Sequence, residues 1–126
     1  MDFQPSEAQR ALVESVRALA RRDFSGTGQV RTSDASGPPR ESLRLLARTG
    51  LAGIYMPEAD GGQGGTLLDS VLAIEAMTEI SPLGGDCLAA LNFGAIQQLS
   101  HHGSPGLKER FLKPCLVGER LAAVAM

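Results

Sequence analysis

The sequence predicts an all-α protein: an orthogonal bundle of about five helices, with the start of a β-strand at the C-terminal end. Three observations predict it. Apolar residues recur at helical spacing, beginning with Leu12, Val13, Val16, Leu19 and Ala20. Helix-starting and helix-stopping residues punctuate such stretches at short intervals, so that consecutive helices become neighbours. The last run, from Arg120 to Met126, is apolar, follows Gly118, and puts Val124 and Met126 on one face of a strand. A strand needs a partner for its backbone groups, so the chain reads as cut at the first strand of something larger.

The first helix opens at Ser6, which forms a capping box with Gln9, while Pro5 stops it extending backward. It should end near Asp23 or Phe24. Residues 25–39 are nearly all turn formers and read as a loop, mobile rather than functional. A short second helix covers about Arg40 to Arg48, with Gly50 placed as a left-handed C-terminal cap. The apolar stretch Leu51–Met56 reads as a buried connector into Pro57. A glycine-rich loop follows, and Thr66 with Asp69 starts a third helix that Ser81-Pro82 ends. That helix is apolar on more than one side and is expected at the centre of the bundle. A fourth helix is expected from about Leu83 to His101, stopped by Gly103. Ser104 and Pro105 start the fifth, in which Pro114 should kink or restart the helix before Gly118 ends it.

Composition narrows the class. At 126 residues the chain makes one domain at most, and 43% hydrophobic residues suffice for a core. With no Trp, one Tyr and four Phe, that core is mainly aliphatic. A formal charge of −2 argues against a nucleic-acid binder. Cys87 and Cys115 lie far apart without metal-ligand spacing and read as reduced thiols. No secretory signal is visible at the N-terminus, and no apolar run approaches the roughly 20 residues of a membrane span. The chain reads as soluble and cytoplasmic.

Each candidate motif has an ordinary explanation. Gly61-Gly62-Gln63-Gly64-Gly65 leads into a helix N-terminus, a geometry that can hold phosphate, but it lacks the Lys-Ser/Thr of a P-loop and any βαβ context. A tight turn that permits close packing explains it better. His101 and His102 fall in a last helical turn, where positive charge suits the dipole. Glu75 stands amid apolar residues, where an ion pair or a water site is commoner than catalysis. Cys87, Ala90, Leu91 and Gly94 share one helical spacing. Small side chains there either open a cavity for an apolar ligand or let a helix approach, and residue spacing alone favours the second. No nucleophile, metal set or general base is visible.

Four segments, in order, resemble the N-terminal helical domain of acyl-CoA dehydrogenases. They are Met1-Asp2-Phe3 with Ser6 to Leu12; Leu51 to Gly65, centred on Pro57-Glu58-Ala59-Asp60-Gly61-Gly62; Gly103 to Leu112; and Gly118-Glu119 leading to Ala125-Met126. The resemblance spans essentially the whole chain and is weakest over residues 25–39. Two departures stand out: that first connection is unusually rich in Gly, Ser and Pro, and Ala59-Asp60 replaces an acidic-aromatic pair.

The resemblance implies a larger protein that binds FAD and oxidises acyl-CoA thioesters to enoyl-CoA. Residues 1–120 would be its helical domain and 121–126 the first strand of a central β-domain. The catalytic glutamate and most of the flavin site would lie elsewhere. Val124 and Met126 would pass close to the flavin, and Cys87, Ala90, Leu91 and Gly94 would line the distal acyl cavity. The full-length protein would be a homo-oligomer, tetramer or dimer, with an electron acceptor that this sequence does not name. An acyl-CoA oxidase or flavin monooxygenase relative, or a non-catalytic helical scaffold, are the competing readings.

Overall fold

The computed structural model describes residues 4–25 and 40–125. Met1, Asp2, Phe3, residues 26–39 of the expected loop, and Met126 lie outside them. Helix α1 spans Glu7–Leu19 and runs on as a π-helical turn, Ala20–Phe24. Helix α2 spans Arg40–Arg48, α3 Leu67–Thr78, α4 Pro82–Ala90 and α5 Ala95–His102. The last helical rod is α6, Pro105–Leu107, a π-helical segment, Lys108–Leu112, and α7, Lys113–Leu116. Among the described residues there is no strand. Residues 121–125 carry no regular structure, and no ladder partner for them is present among the described residues.

Local chemistry starts the helices as predicted. The Gln9 amide N–H donates to Ser6 Oγ at 3.1 Å, and the Ser6 N–H donates to Gln9 Oε1 at 3.0 Å. Thr66 and Asp69 repeat this box at α3, at 2.7 and 3.2 Å. Each box satisfies donors that a helix N-terminus leaves open. The two boxes are also joined, because Gln9 Nε2 donates to Asp69 Oδ1 at 2.9 Å. Helix α2 ends as expected: the Leu51 N–H reaches Leu46 O at 3.1 Å and Gly50 N–H reaches Ala47 O at 3.2 Å, the paired bonds of a Schellman cap.

Helix α3 packs against α1 on one side and α4 on the other, and α2 packs against α4. The core gathers Val16, Leu19 and Phe24 with Leu43 and Leu46, then Ala73, Ala76 and Met77, and Leu88, Leu91 and Ile96. Leu112 and Leu116 close it from the last rod. The small side chains Ala73 and Ala76 let α3 lie close to its neighbours. Helix α3 is central, but only one face is buried: Leu67, Leu68 and Val71 are exposed.

One expectation changes. The fourth helix is two helices, because the chain leaves the helical path over Leu91–Gly94. Gly94 has φ +73° and ψ −132°, a conformation that side-chain-bearing residues avoid, and it heads α5 from that position. At Pro114 the helix restarts, as expected. The widened π-helical turn Lys108–Leu112 precedes it and helix α7 carries on with Pro114 in its first turn, where the absent N–H leaves no bond unmade.

Candidate functional site

The glycine-rich loop is a packing element. The N–H groups of Gly61, Gly62, Gln63, Gly64 and Gly65 donate to Glu58 O, Pro57 O, Gly53 O, Met56 O and Ile54 O, all at 2.8–3.0 Å. With those donors used internally, the loop presents none of them to a phosphate. It lies directly on the connector: a Cβ at Gly62 would sit 2.4 Å from Met56 Cβ and from Met56 O. The loop therefore packs against the Leu51–Met56 connector, which is buried as expected apart from half-buried Tyr55.

The break between α4 and α5 is held by Asn92, which is fully buried. Its Nδ2 donates to Leu51 O at 2.8 Å and Leu88 O at 2.9 Å, and its Oδ1 accepts from the Ile54 N–H at 2.7 Å. Gln97 Nε2 donates to Asn92 O at 2.9 Å, and the Gly53 N–H donates to Leu91 O at 2.9 Å. The break is thus an ordered junction, its polar groups paired with the connector. The local sequence marks it only by a polar residue in the apolar run Leu88–Phe93 and by Gly94 after it.

This junction separates the predicted cavity residues. Cys87 and Leu91, each 1% exposed, are core residues. Ala90 is half-buried, and Gly94 is exposed, with open space where a Cβ would stand. They do not form one helical stripe, because the helix that would align them ends at Ala90. Glu75 is an exposed residue of α3. His101 and His102 close α5, as expected.

Sequence reasoning missed one concavity. A groove of about 600 Å³ runs between α5, the last rod and the tail, walled by Leu99, Leu107, Phe111, Leu121 and Val124, with His102 and Arg120 at its polar points. Val124 is 51% exposed and lines it. Met126 lies outside the described residues. Beside the groove, the backbone of Leu121–Ala125 makes no hydrogen bond among the described residues. Cys115 also lines it, and burial pushes its thiol pKa up, so it stays a neutral thiol.

Behind two walls of this groove, Asp60 is bonded to Ser100 and Lys108. Both carboxylate oxygens accept from Lys108 Nζ at 2.9 Å, and Oδ2 also accepts from Ser100 Oγ at 2.8 Å. Lys108 first, then the Ser100 hydroxyl, hold the carboxyl below the usual carboxylate range. The substitution that departs from the family pattern thus has its own polar contacts. No group of three or more metal-ligating side chains occurs among the described residues, and no helix there is long and apolar enough to cross a membrane.

A helical bundle of this order matches a known class. Residues 6–119 match the family described as acyl-CoA dehydrogenase, N-terminal domain, and the chain belongs to that family. The 3-sulfinopropanoyl-CoA desulfinase of Paraburkholderia xenovorans is 28% identical over 120 residues, which is 95% of this chain and 31% of that protein. The mitochondrial isovaleryl-CoA dehydrogenase of Pongo abelii is 30% identical over 122 residues, 96% of this chain and 29% of that protein. Among solved structures, the FAD complex of PigA superposes with a TM-score of 0.79 at 27% identity, covering 96% of this chain and 32% of that one. The chain spans about a third of the length of the relatives it matches.

Proposed function

We propose that this chain is the N-terminal helical part of an FAD-dependent acyl-CoA dehydrogenase, in which it walls the acyl-chain cavity and supports the flavin site. Residues 1–120 are the helical domain, and 121–126 enter a central β-domain. The single observation that carries this reading is the groove whose rim is the backbone of Leu121–Ala125, unpaired among the described residues. The fit to a flavin is chemical: its ring offers an apolar edge and a hydrogen-bonding edge, and here apolar side chains stand beside backbone donors and acceptors that have no partner among the described residues. Val124 and Met126 border the flavin in this reading. When bound, the flavin supplies the electron sink that amino acids lack.

The chain's own residues supply shape and dryness. An aliphatic wall senses acyl length because each buried methylene contributes about 0.8 kcal/mol. Ala90 and Gly94 meet the acyl chain in this reading, and Cys87 and Leu91 stand behind them as the packed layer that fixes the wall. The whole protein assembles as a homo-oligomer.

The test is made on the purified natural gene product. A flavin absorbance band that bleaches on adding saturated acyl-CoA thioesters, with enoyl-CoA as product, is the expected result. A colourless protein, or a flavin that no acyl-CoA reduces, refutes it. Rapid re-oxidation by dioxygen in place of a separate acceptor moves the assignment to the oxidase alternative.

A further inference from the structure

The groove has two walls on separate elements: Leu99 stands on α5, and Leu107 and Phe111 stand on the last rod. Neither wall is continuous with the other, since the chain turns through Gly103 and Ser104 between them. One side chain from a third element is bonded to both. Asp60, at the end of the 3₁₀ turn Glu58–Asp60, accepts from Ser100, the neighbour of Leu99, and from Lys108, the neighbour of Leu107. We infer that Asp60 is a positioning residue that sets the separation of the groove's two walls.

Three features distinguish this contact from an incidental surface ion pair. The Asp60 side chain is only 13% exposed and that of Lys108 28%, so water competes weakly for either. Asp60 is itself anchored: its N–H donates to Pro57 O at 3.0 Å, and the Gly61 N–H donates to Glu58 O at 2.9 Å. The turn is fastened in its turn to the buried connector through the N–H groups of Gln63, Gly64 and Gly65. A grip from a fixed base transmits position, whereas a grip from a loose loop would follow the walls. Finally, Asp60 is absent from the groove lining. Adjacent residues on a helix point about 100° apart, so a hold on Ser100 and Lys108 acts on the walls from behind and leaves the groove open.

Asp60 would hold the walls whatever fills the groove; only the occupant's identity rests on the function proposed above. The experiment measures the walls directly. Exposed His101 and Glu109 are replaced by cysteine for spin labels, one on each element, while Cys87 and Cys115 are buried and a variant without the new cysteines serves as control. Pulsed electron resonance then compares the natural Asp60 with Asp60→Ala, Lys108→Met and the double variant. The expected result is a broader, longer distance distribution in Asp60→Ala, recovery towards the natural one in Asp60→Glu, and a double variant no wider than Asp60→Ala alone. A distribution in Asp60→Ala that matches the natural one overturns the inference. If Asp60→Ala does not fold, Lys108→Met decides alone, by the same criterion. Walls that move in Asp60→Ala while the protein still binds flavin support Asp60 as the strut and remove the flavin from this groove.

Discussion

Asn92 and Ile54 meet across 38 residues of sequence, the Ile54 N–H donating to Asn92 Oδ1 at 2.7 Å in the buried interior. The same amide donates from Nδ2 to Leu51 O and Leu88 O, so one side chain joins the connector to the end of α4. This contact explains why the chain breaks its helix at Leu91–Gly94. Of the carbonyls freed there, Leu91 O is satisfied by Gly53 of the distant connector, Leu88 O by the Asn92 side chain and Asn92 O by Gln97.

Replacing Asn92 with Leu keeps the volume and removes the bonds. The Ile54 N–H and Leu51 O would be left buried and unpaired, each at a cost of about 1–3 kcal/mol. We predict a loss of roughly 3 kcal/mol and a fall in melting temperature of about 10 °C or more. Thermal unfolding by circular dichroism checks this; a shift of only a degree or two would show that water or a rearranged backbone replaces Asn92.

The glycine-rich loop gives a contrast between two glycines. Gly62→Ala forces a Cβ to 2.4 Å from Met56 and should destabilise by about 1–3 kcal/mol. Gly106→Ala meets nothing within 4 Å and lies in helix α6, so it should be neutral or stabilising by up to about 1 kcal/mol. Urea midpoints of the two variants decide it. Equal midpoints would mean that the loop tolerates displacement from the connector.

For the acyl wall, Ala90→Leu is the cleaner substitution. Gly94 holds a backbone conformation that any L side chain strains, so a change there mixes folding with specificity. Ala90 ends a regular helix and is half-buried. In the flavin-loaded protein, Ala90→Leu should lower kcat/KM for acyl chains that reach the wall by about fourfold per excluded methylene, and leave shorter chains unchanged. A uniform loss across chain lengths would argue against a lining role.

Asp69 predicts a pH effect. The Thr66 backbone N–H, with help from Gln9 and the Thr66 hydroxyl and against burial, holds its carboxyl below the usual carboxylate range. A pKa lower in the folded state adds stability that is complete above the unfolded value, about 3.9, and disappears as pH falls through the folded value. Asp69→Asn should therefore melt below the natural protein at neutral pH. The gap should stay constant down to about pH 5 and narrow below about pH 4. Melting curves across this range test it, and a gap that widens in acid would contradict the capping role.

The helix starts were legible because they are local. Ser6 with Gln9 and Thr66 with Asp69 act over three residues, and the Gly50 cap closes on residues of its own helix. The buried connector Leu51–Met56 was legible from its uninterrupted apolar character. The candidate site was legible only in part. Val124 lines the groove, but Cys87, Ala90, Leu91 and Gly94 were aligned by assuming one unbroken helix. The groove itself is assembled from α5, the last rod and the tail, and no residue spacing within one segment encodes that convergence.

By itself, then, the sequence determined the all-helical class, the order of the helices, the N-terminal boundaries of α1 and α3, and the family. Those follow from periodicity and from hydrogen bonds between near neighbours, which each segment carries with it. Only the tertiary structure decided where the fourth helix breaks, what the glycine-rich loop packs against, and which side chain links the groove's walls. The partners concerned stand far apart in the chain: Asn92 with Leu51 and Ile54, and Asp60 with Ser100 and Lys108. A buried amide or carboxylate takes the donors and acceptors that folding brings to it, and these are set by packing of the whole core.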